Sequence, residues 1–142
     1  MTEQRIKYLL YHMVDSFLNF VLCNRDSFSE LTTIVLEAYS EDCLPDTDTI
    51  KIDMMDFKAE DGKRMLMKMC SEMTFELEWF GLSIRNESDG SYVGLYFDTK
   101  ERCLLLIPSY KIKLKMENVA RQEWCDTLES LTGYKLKVLK AS

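Results

Sequence analysis

The chain has 142 residues, of which 46% are hydrophobic and 30% charged, and its formal net charge is −6. This length and apolar content predict a single domain over residues 1–142 with its own core, and they exclude an intrinsically disordered chain. The negative charge disfavours direct binding to nucleic acid, because proteins that contact phosphate backbones are usually basic.

The cysteine pattern and the hydropathy indicate the compartment. The five cysteines are odd in number, and no two of them form a C-x-x-C pair. This pattern favours reduced thiols in the cytoplasm over a disulfide framework or a zinc site. The sequence contains no recognisable signal peptide and no apolar run of about 18 residues, so it predicts no association with a membrane.

The N-terminal third predicts two helices. Apolar residues recur at steps of three and four from Thr2 to about Cys23, which predicts a long amphipathic helix. Ser27-Phe28-Ser29-Glu30 has the form of a capping box and predicts the start of a second helix. The apolar stripe of that helix would be Leu31, Ile34, Val35 and Ala38. The short link between the two helices predicts an antiparallel helical hairpin.

The segment after this hairpin is acidic. Residues 40–48 contain Pro45 and predict a solvated connection. Ile50, Ile52 and Met54 alternate with polar residues and predict a strand, placed at an edge of the sheet. A short helix starting near Glu60 is predicted from the apolar stripe of Leu66, Met69, Cys70 and Met73.

Residues 74–108 predict a three-stranded meander. The alternation of apolar residues reverses at Phe80, so a β-bulge is predicted at Gly81. The turn-forming residues 86–90 close the first hairpin, and strands over 92–97 and 103–107 follow. The last of these is apolar on both faces, which is typical of a central strand.

The C-terminal segment predicts one helix between two strands. Ile112, Leu114 and Met116 alternate with lysines, as in an edge strand. A helix from about Glu117 would stop at Gly133, and residues 134–138 alternate as a last strand. The predicted fold is therefore α+β, with an N-terminal helical hairpin packed on a mainly antiparallel sheet of five or six strands and one or two further helices.

The charge distribution points to a partner. Residues 37–61 hold nine acidic residues against two basic ones, whereas residues 108–142 hold seven basic against four acidic. Such an acidic run can steer and bind a basic protein surface. The predicted partner-binding residues are seven of the nine acidic residues of this run together with two methionines that lie off the apolar stripe of the predicted helix: Glu37, Glu41, Asp42, Asp46, Asp48, Asp53, Asp56, Met65 and Met67.

No catalytic, metal or cofactor site is predicted. His12, the only histidine, has Tyr8, Asp15 and Ser16 within one helical turn, but catalytic triads usually gather residues from separate elements. The acidic run lacks the glycine and the distal glutamate of an EF-hand loop. No glycine-rich phosphate-binding motif occurs in the sequence.

The leading functional hypothesis is a small acidic cytoplasmic binding protein that acts as a stoichiometric regulator or inhibitor of a protein partner and is not an enzyme. The hypothesis includes two classes of protein: immunity-like proteins and phage-borne inhibitors of nucleic-acid-handling defence enzymes. Assembly into a homo-oligomer is left open. The alternative is a small-ligand-binding or enzymatic domain with a pocket between the helical hairpin and the sheet. Its polar residues would be Tyr8, His12, Tyr92 and Tyr96.

Overall fold

The computed structural model describes residues 2–39, 48–54, 64, 78–117, 119 and 121–139. In chain order the elements are α1 (Glu3–Cys23), α2 (Arg25–Phe28), β1 (Thr33–Tyr39), β2 (Asp48–Asp53), β3 (Trp79–Arg85), β4 (Tyr92–Asp98), β5 (Cys103–Pro108), α3 (Tyr110–Met116), α4 (Gln122–Thr132) and β6 (Leu136–Val138).

The described strands form one sheet in the order β2-β1-β3-β4-β5-β6. All neighbouring pairs are antiparallel except β5 and β6, which are parallel. Two parallel neighbours need a long crossover connection, and α3 and α4 provide it here. The α+β fold class with a mainly antiparallel sheet is confirmed.

One face of the sheet carries the core. Phe80, Leu82 and Ile84 of β3 alternate onto this face, which we call the near face, and all three are fully buried. They belong to one apolar cluster that also contains Leu9, Leu10, Met13, Val14, Phe17 and Val21 of α1 and Ile112, Met116 and Leu128 of α3 and α4. The predicted amphipathic character of the first helix is thereby confirmed, and the core lies between this helix and the near face.

The second helix predicted from the Ser27-Phe28-Ser29-Glu30 capping box is wrong, and so is the antiparallel helical hairpin that it would complete. α2 ends at Phe28, and the apolar residues assigned to its stripe lie instead in or just before β1. β1 pairs with β2 on one side and β3 on the other, and Ile34, Val35 and Leu36 are all buried. A strand covered on both faces gives a continuous apolar run, which periodicity alone cannot distinguish from a buried helix.

Two further local predictions are wrong. Residues 110–116 form a helix rather than an edge strand, because Ile112 and Met116, four residues apart, are both buried while Leu114 between them is 47% exposed. Gly81 is not a bulge, since β3 pairs with β4 in unbroken register through Gly81 and Tyr96.

Other predicted boundaries agree with the structure. Gly133 ends α4 in the left-handed conformation with φ 79°, and Gly90 closes the β3–β4 hairpin with φ 76°. β2 is at the edge of the sheet formed by the described strands, in agreement with the prediction. The predicted helix over residues 60–73 falls outside the described residues except for residue 64. None of the helices within the described ranges has both the length and the apolar character needed to cross a bilayer.

Candidate functional site

The second face of the sheet, which we call the far face, carries a concave surface of about 390 Å³. This volume lies within the range of about 300–1,000 Å³ that is typical of ligand pockets. We call this surface the far-face groove. It is lined by Glu37, Trp79, Arg85, Tyr92, Tyr96, Asp98, Leu105 and Ile107.

The strand register explains why these residues meet. Glu37 of β1 lies opposite Gly81 of β3, Gly81 lies opposite Tyr96 of β4, and Tyr96 lies opposite Leu105 of β5. Residues directly opposite one another project to the same face, so this row crosses the middle of the groove. The absence of a side chain at Gly81 leaves room for the residues on either side to reach each other.

Tyr96 spans that gap. A Cβ atom at Gly94 would lie 2.5 Å from Cε2 and 2.9 Å from Cζ of Tyr96, which shows that the tyrosine ring lies directly on the backbone there. From this position the hydroxyl of Tyr96 donates a hydrogen bond of 2.9 Å to Oε2 of Glu37, across the intervening strand. The two strand glycines therefore permit the close approach that links β1 to β4.

Arg85 completes the polar part of the groove. Its Nη2 donates to Oε1 of Glu37 at 2.6 Å, and its Nε donates to Oγ of Ser83 at 2.9 Å. The side chain of Glu37 is 11% exposed and that of Arg85 is 35% exposed. A carboxylate removed from water needs such partners, and here each of its oxygens has one.

Three aromatic side chains, Trp79, Tyr92 and Tyr96, also line the groove. The rings of Trp79 and Tyr96 meet edge to face with their centroids 5.3 Å apart. The guanidinium carbon of Arg85 lies 6.0 Å from the centroid of Tyr92, at the other end of the groove. Leu105 and Ile107 add aliphatic surface along β5. Among the described residues, the groove thus combines aromatic and aliphatic surfaces with three charged groups.

Burial raises the pKa of the Tyr96 hydroxyl above its ordinary value of 10.0, and the neighbouring Glu37 carboxylate raises it further. The folded state therefore keeps this hydroxyl protonated at a pH where the unfolded state ionises it. The resulting stabilisation is fully present below the pKa of the hydroxyl in the unfolded state. It is lost as the pH rises above that pKa.

Urea unfolding should reveal this dependence. Between about pH 8 and about pH 11, the wild-type protein should lose about 1 kcal/mol more unfolding free energy than Tyr96→Phe, which has no hydroxyl to ionise. Tyr110→Phe is the control, because that tyrosine is 67% exposed and lies outside the groove. Equal alkaline slopes for the wild type and Tyr96→Phe would contradict the expectation.

The structure places only part of the predicted partner-binding set. Glu37 lies in the groove, paired with Arg85, and Asp53 is exposed on the edge strand β2, which also contains Asp48. The other predicted residues lie outside the described ranges: Glu41, Asp42, Asp46, Asp56, Met65 and Met67. The assignment of this set to partner binding stays a prediction.

The four polar residues of the alternative hypothesis do not meet. Tyr92 and Tyr96 line the far-face groove, whereas Tyr8 and His12 lie on α1, which packs over the near face. His12 contacts the rings of Tyr8 and Tyr11 edge to face, with centroids 4.5 Å and 5.3 Å away. The hydroxyl of Tyr8 donates to the backbone carbonyl of Leu131 at 2.5 Å. Tyr8 thus joins α1 to α4, whereas the ring contacts of His12 lie within α1, so these two residues do not form one site with Tyr92 and Tyr96.

Two observations bear on metal and thiol chemistry. Within the described ranges, no group of three or more histidine, cysteine, aspartate or glutamate residues is arranged to hold a metal ion. Cys103 and Cys125 are buried free thiols whose pKa is raised, chiefly by burial, while Cys23 is exposed. A raised pKa makes a thiol less reactive, so the two buried cysteines belong to the packing.

Sequence reasoning missed Arg85 and the role of the two strand glycines. Arg85, Ser83 and Gly81 share the parity of Trp79 along β3, and a glycine inside a strand signals either a bulge or a close approach. The second reading was the correct one. Comparisons of the chain with protein-family models, with curated proteins and with solved structures gave no significant match.

Proposed function

We propose that this protein is a cytoplasmic binding protein that regulates or inhibits a protein partner stoichiometrically, and that the partner presents a basic surface. The observation that carries the proposal is the far-face groove, where Trp79, Tyr92 and Tyr96 stand beside two carboxylates, Glu37 and Asp98. Tryptophan, tyrosine and arginine are the residue types most often found as energetic centres of protein interfaces.

The acidic run supports the same conclusion. It begins at Glu37, which lies inside the groove, and it carries nine acidic residues against two basic ones over residues 37–61. Charge of one sign increases the rate at which an oppositely charged partner is captured and discriminates against partners of the same sign. A nucleic-acid-handling enzyme is a suitable partner, because such enzymes carry basic surfaces for phosphate groups.

The bonding at the centre of the groove favours a binding role for Glu37 and Tyr96 over a catalytic one. Glu37 accepts hydrogen bonds at both carboxylate oxygens, and the hydroxyl of Tyr96 already donates to it. A general base needs an oxygen free to take a proton from a substrate, and these groups are committed to each other. The buried free thiols Cys103 and Cys125 support the cytoplasmic compartment, where thiols stay reduced.

The acidic run can be tested by neutralisation. A variant with Glu41→Gln, Asp42→Asn, Asp46→Asn and Asp48→Asn should capture at least about tenfold less of the partner from a lysate of the native host, because rim charges govern the rate of encounter. The captured protein is identified by mass spectrometry. The melting temperature of the variant should stay within a few degrees of that of the wild type.

The control for this variant removes the same number of negative charges elsewhere. Asp26→Asn, Glu101→Gln, Glu117→Gln and Glu123→Gln change four exposed acids outside residues 37–61. This variant should retain most of the capture. Unchanged capture by the first variant, or equal loss in both, would show that the acidic run is not the docking element.

A small ligand is the second candidate, and the volume of the groove favours it. In this case the groove would enclose a metabolite or nucleotide rather than a side chain of a partner. A ligand that binds only the folded state raises the melting temperature by mass action, so a thermal-shift screen against nucleotides and metabolites separates the two candidates.

A further inference from the structure

We propose that the end of the far-face groove formed by Trp79, Asp98 and Tyr96 binds the charged end of an arginine or lysine side chain of the partner. This inference deepens the proposed function and rests on it, since it assigns the basic partner a contact in the groove. The three residues are called the cation subsite below.

The cation subsite is built from directly paired residues. Trp79 of β3 lies opposite Asp98 of β4, and such paired residues have their Cβ atoms about 4.5–5.5 Å apart. Tyr96 projects from the same face of β4, and its ring meets that of Trp79 at 5.3 Å and 79°. Two aromatic surfaces therefore stand next to one carboxylate, an arrangement in which a cation is attracted by both the ring faces and the negative charge.

Asp98 is held in place and keeps one oxygen available. Its Oδ1 accepts hydrogen bonds from the backbone N–H groups of Lys100 and Glu101, at 2.9 Å and 3.1 Å. These bonds fix the carboxylate at the start of the β4–β5 turn. Its Oδ2 accepts no hydrogen bond from the residues that the structure describes, so this oxygen can accept one from an incoming guanidinium or ammonium group.

The charges along the groove favour a cation at this end. Arg85 and Glu37 form an ion pair and compensate each other. Among the described lining residues the remaining charged group is Asp98, which places an uncompensated negative charge at the cation subsite. An anionic ligand would be repelled there, whereas a basic side chain would form a charge-assisted hydrogen bond.

The aliphatic lining suits the rest of such a side chain. Leu105 lies opposite Tyr96 on β5 and contributes apolar surface to the groove. The methylene groups of lysine and arginine pack on apolar surfaces while their charged ends make polar contacts. A short acidic side chain could make neither contact, so the subsite distinguishes basic partners by both charge and shape.

Two short peptides test the subsite directly. An acetylated peptide with one arginine between leucines, and the same peptide with citrulline in its place, are titrated into ¹⁵N-labelled protein and followed by NMR. Citrulline keeps the shape of arginine but carries no charge. The arginine peptide should shift the indole N–H signal of Trp79 and the amide of Asp98 saturably, with an affinity at least about tenfold higher than that of the citrulline peptide.

Asp98→Asn tests the contribution of the carboxylate charge to peptide binding. Asparagine retains the oxygen that accepts from the turn but removes the charge, so the fold should be kept while the affinity for the arginine peptide falls at least about tenfold. Glu101→Gln, an exposed residue of the same turn, removes the same charge and should leave binding unchanged. Thermal unfolding of both variants shows that the fold is retained.

Several outcomes would overturn the subsite. These are equal affinities of the two peptides, no saturable shift at Trp79, or unchanged binding by Asp98→Asn. The proposed function fails separately, when neutralising the acidic run leaves capture of the partner unchanged. Capture that depends on the acidic run, together with equal affinities of the arginine and citrulline peptides, would reject the subsite and keep the binding function.

Discussion

Replacing Arg85 with methionine should lower the free energy of unfolding by about 2–4 kcal/mol, because it leaves the carboxylate of Glu37 buried without its cation. Breaking a fully buried ion pair costs about 3–5 kcal/mol, and the partial exposure of Arg85 reduces this value by solvent screening. Methionine keeps much of the length and the apolar stem of arginine, so the change isolates the charge and its hydrogen bonds.

Urea unfolding with a double-mutant cycle measures this effect. Glu37→Gln in the wild-type protein and in Arg85→Met should give an interaction energy of at least about 1 kcal/mol between the two residues, since they contact each other directly. Arg102→Met is the matched control, because Arg102 is exposed and has no ion pair among the described residues. If Arg85→Met and Arg102→Met unfold at the same urea concentration, the ion pair does not stabilise the fold.

The fold was predicted best where periodicity and turn residues agreed. The first helix repeats its apolar residues over more than five turns, and Gly133 marks a helix end because few other residues adopt a positive φ. Where the apolar periodicity is short or conflicts with the turn residues, the sequence does not distinguish a helix from a strand. Ile112 and Met116 satisfy both the helical and the alternating pattern, and only the burial of both on one side of α3 decides between them.

The groove could be predicted only in part, because it depends on strand order and register. Glu37 and Arg85 are far apart in the sequence, and they meet because β1 pairs with β3, which places Glu37 opposite Gly81, and because the long side chain of Arg85 reaches along the same face past Ser83. No local pattern specifies that pairing. The sequence did place Glu37, Tyr92 and Tyr96 among the functional candidates, but in two separate hypotheses, whereas the structure brings them together in one site.

The second large effect concerns Gly81. Gly81→Ala should lower the free energy of unfolding by about 2–4 kcal/mol, since overpacking a tightly packed site costs about 1–3 kcal/mol and a clash with the backbone adds to it. The added Cβ atom would overlap the carbonyl oxygen of Leu95 and would lie 2.7 Å from Cα of Tyr96. A backbone cannot rotate away as a side chain can, so β3 and β4 would have to separate locally.

Two other glycines provide the comparison in the same urea experiment. For Gly94→Ala the three atoms nearest to the added Cβ all belong to the side chain of Tyr96, which can swing away, so about 1–3 kcal/mol is expected together with loss of the hydrogen bond to Glu37. Gly90→Ala meets nothing within 4 Å but forces alanine to adopt φ +76°, which should cost about 1–2 kcal/mol. An equal loss in all three variants would mean that glycine acts through backbone freedom alone. The expected order, with Gly81 most sensitive, would show that the close approach of the β4 backbone to β3 at Gly81 contributes more to stability than the backbone freedom of glycine.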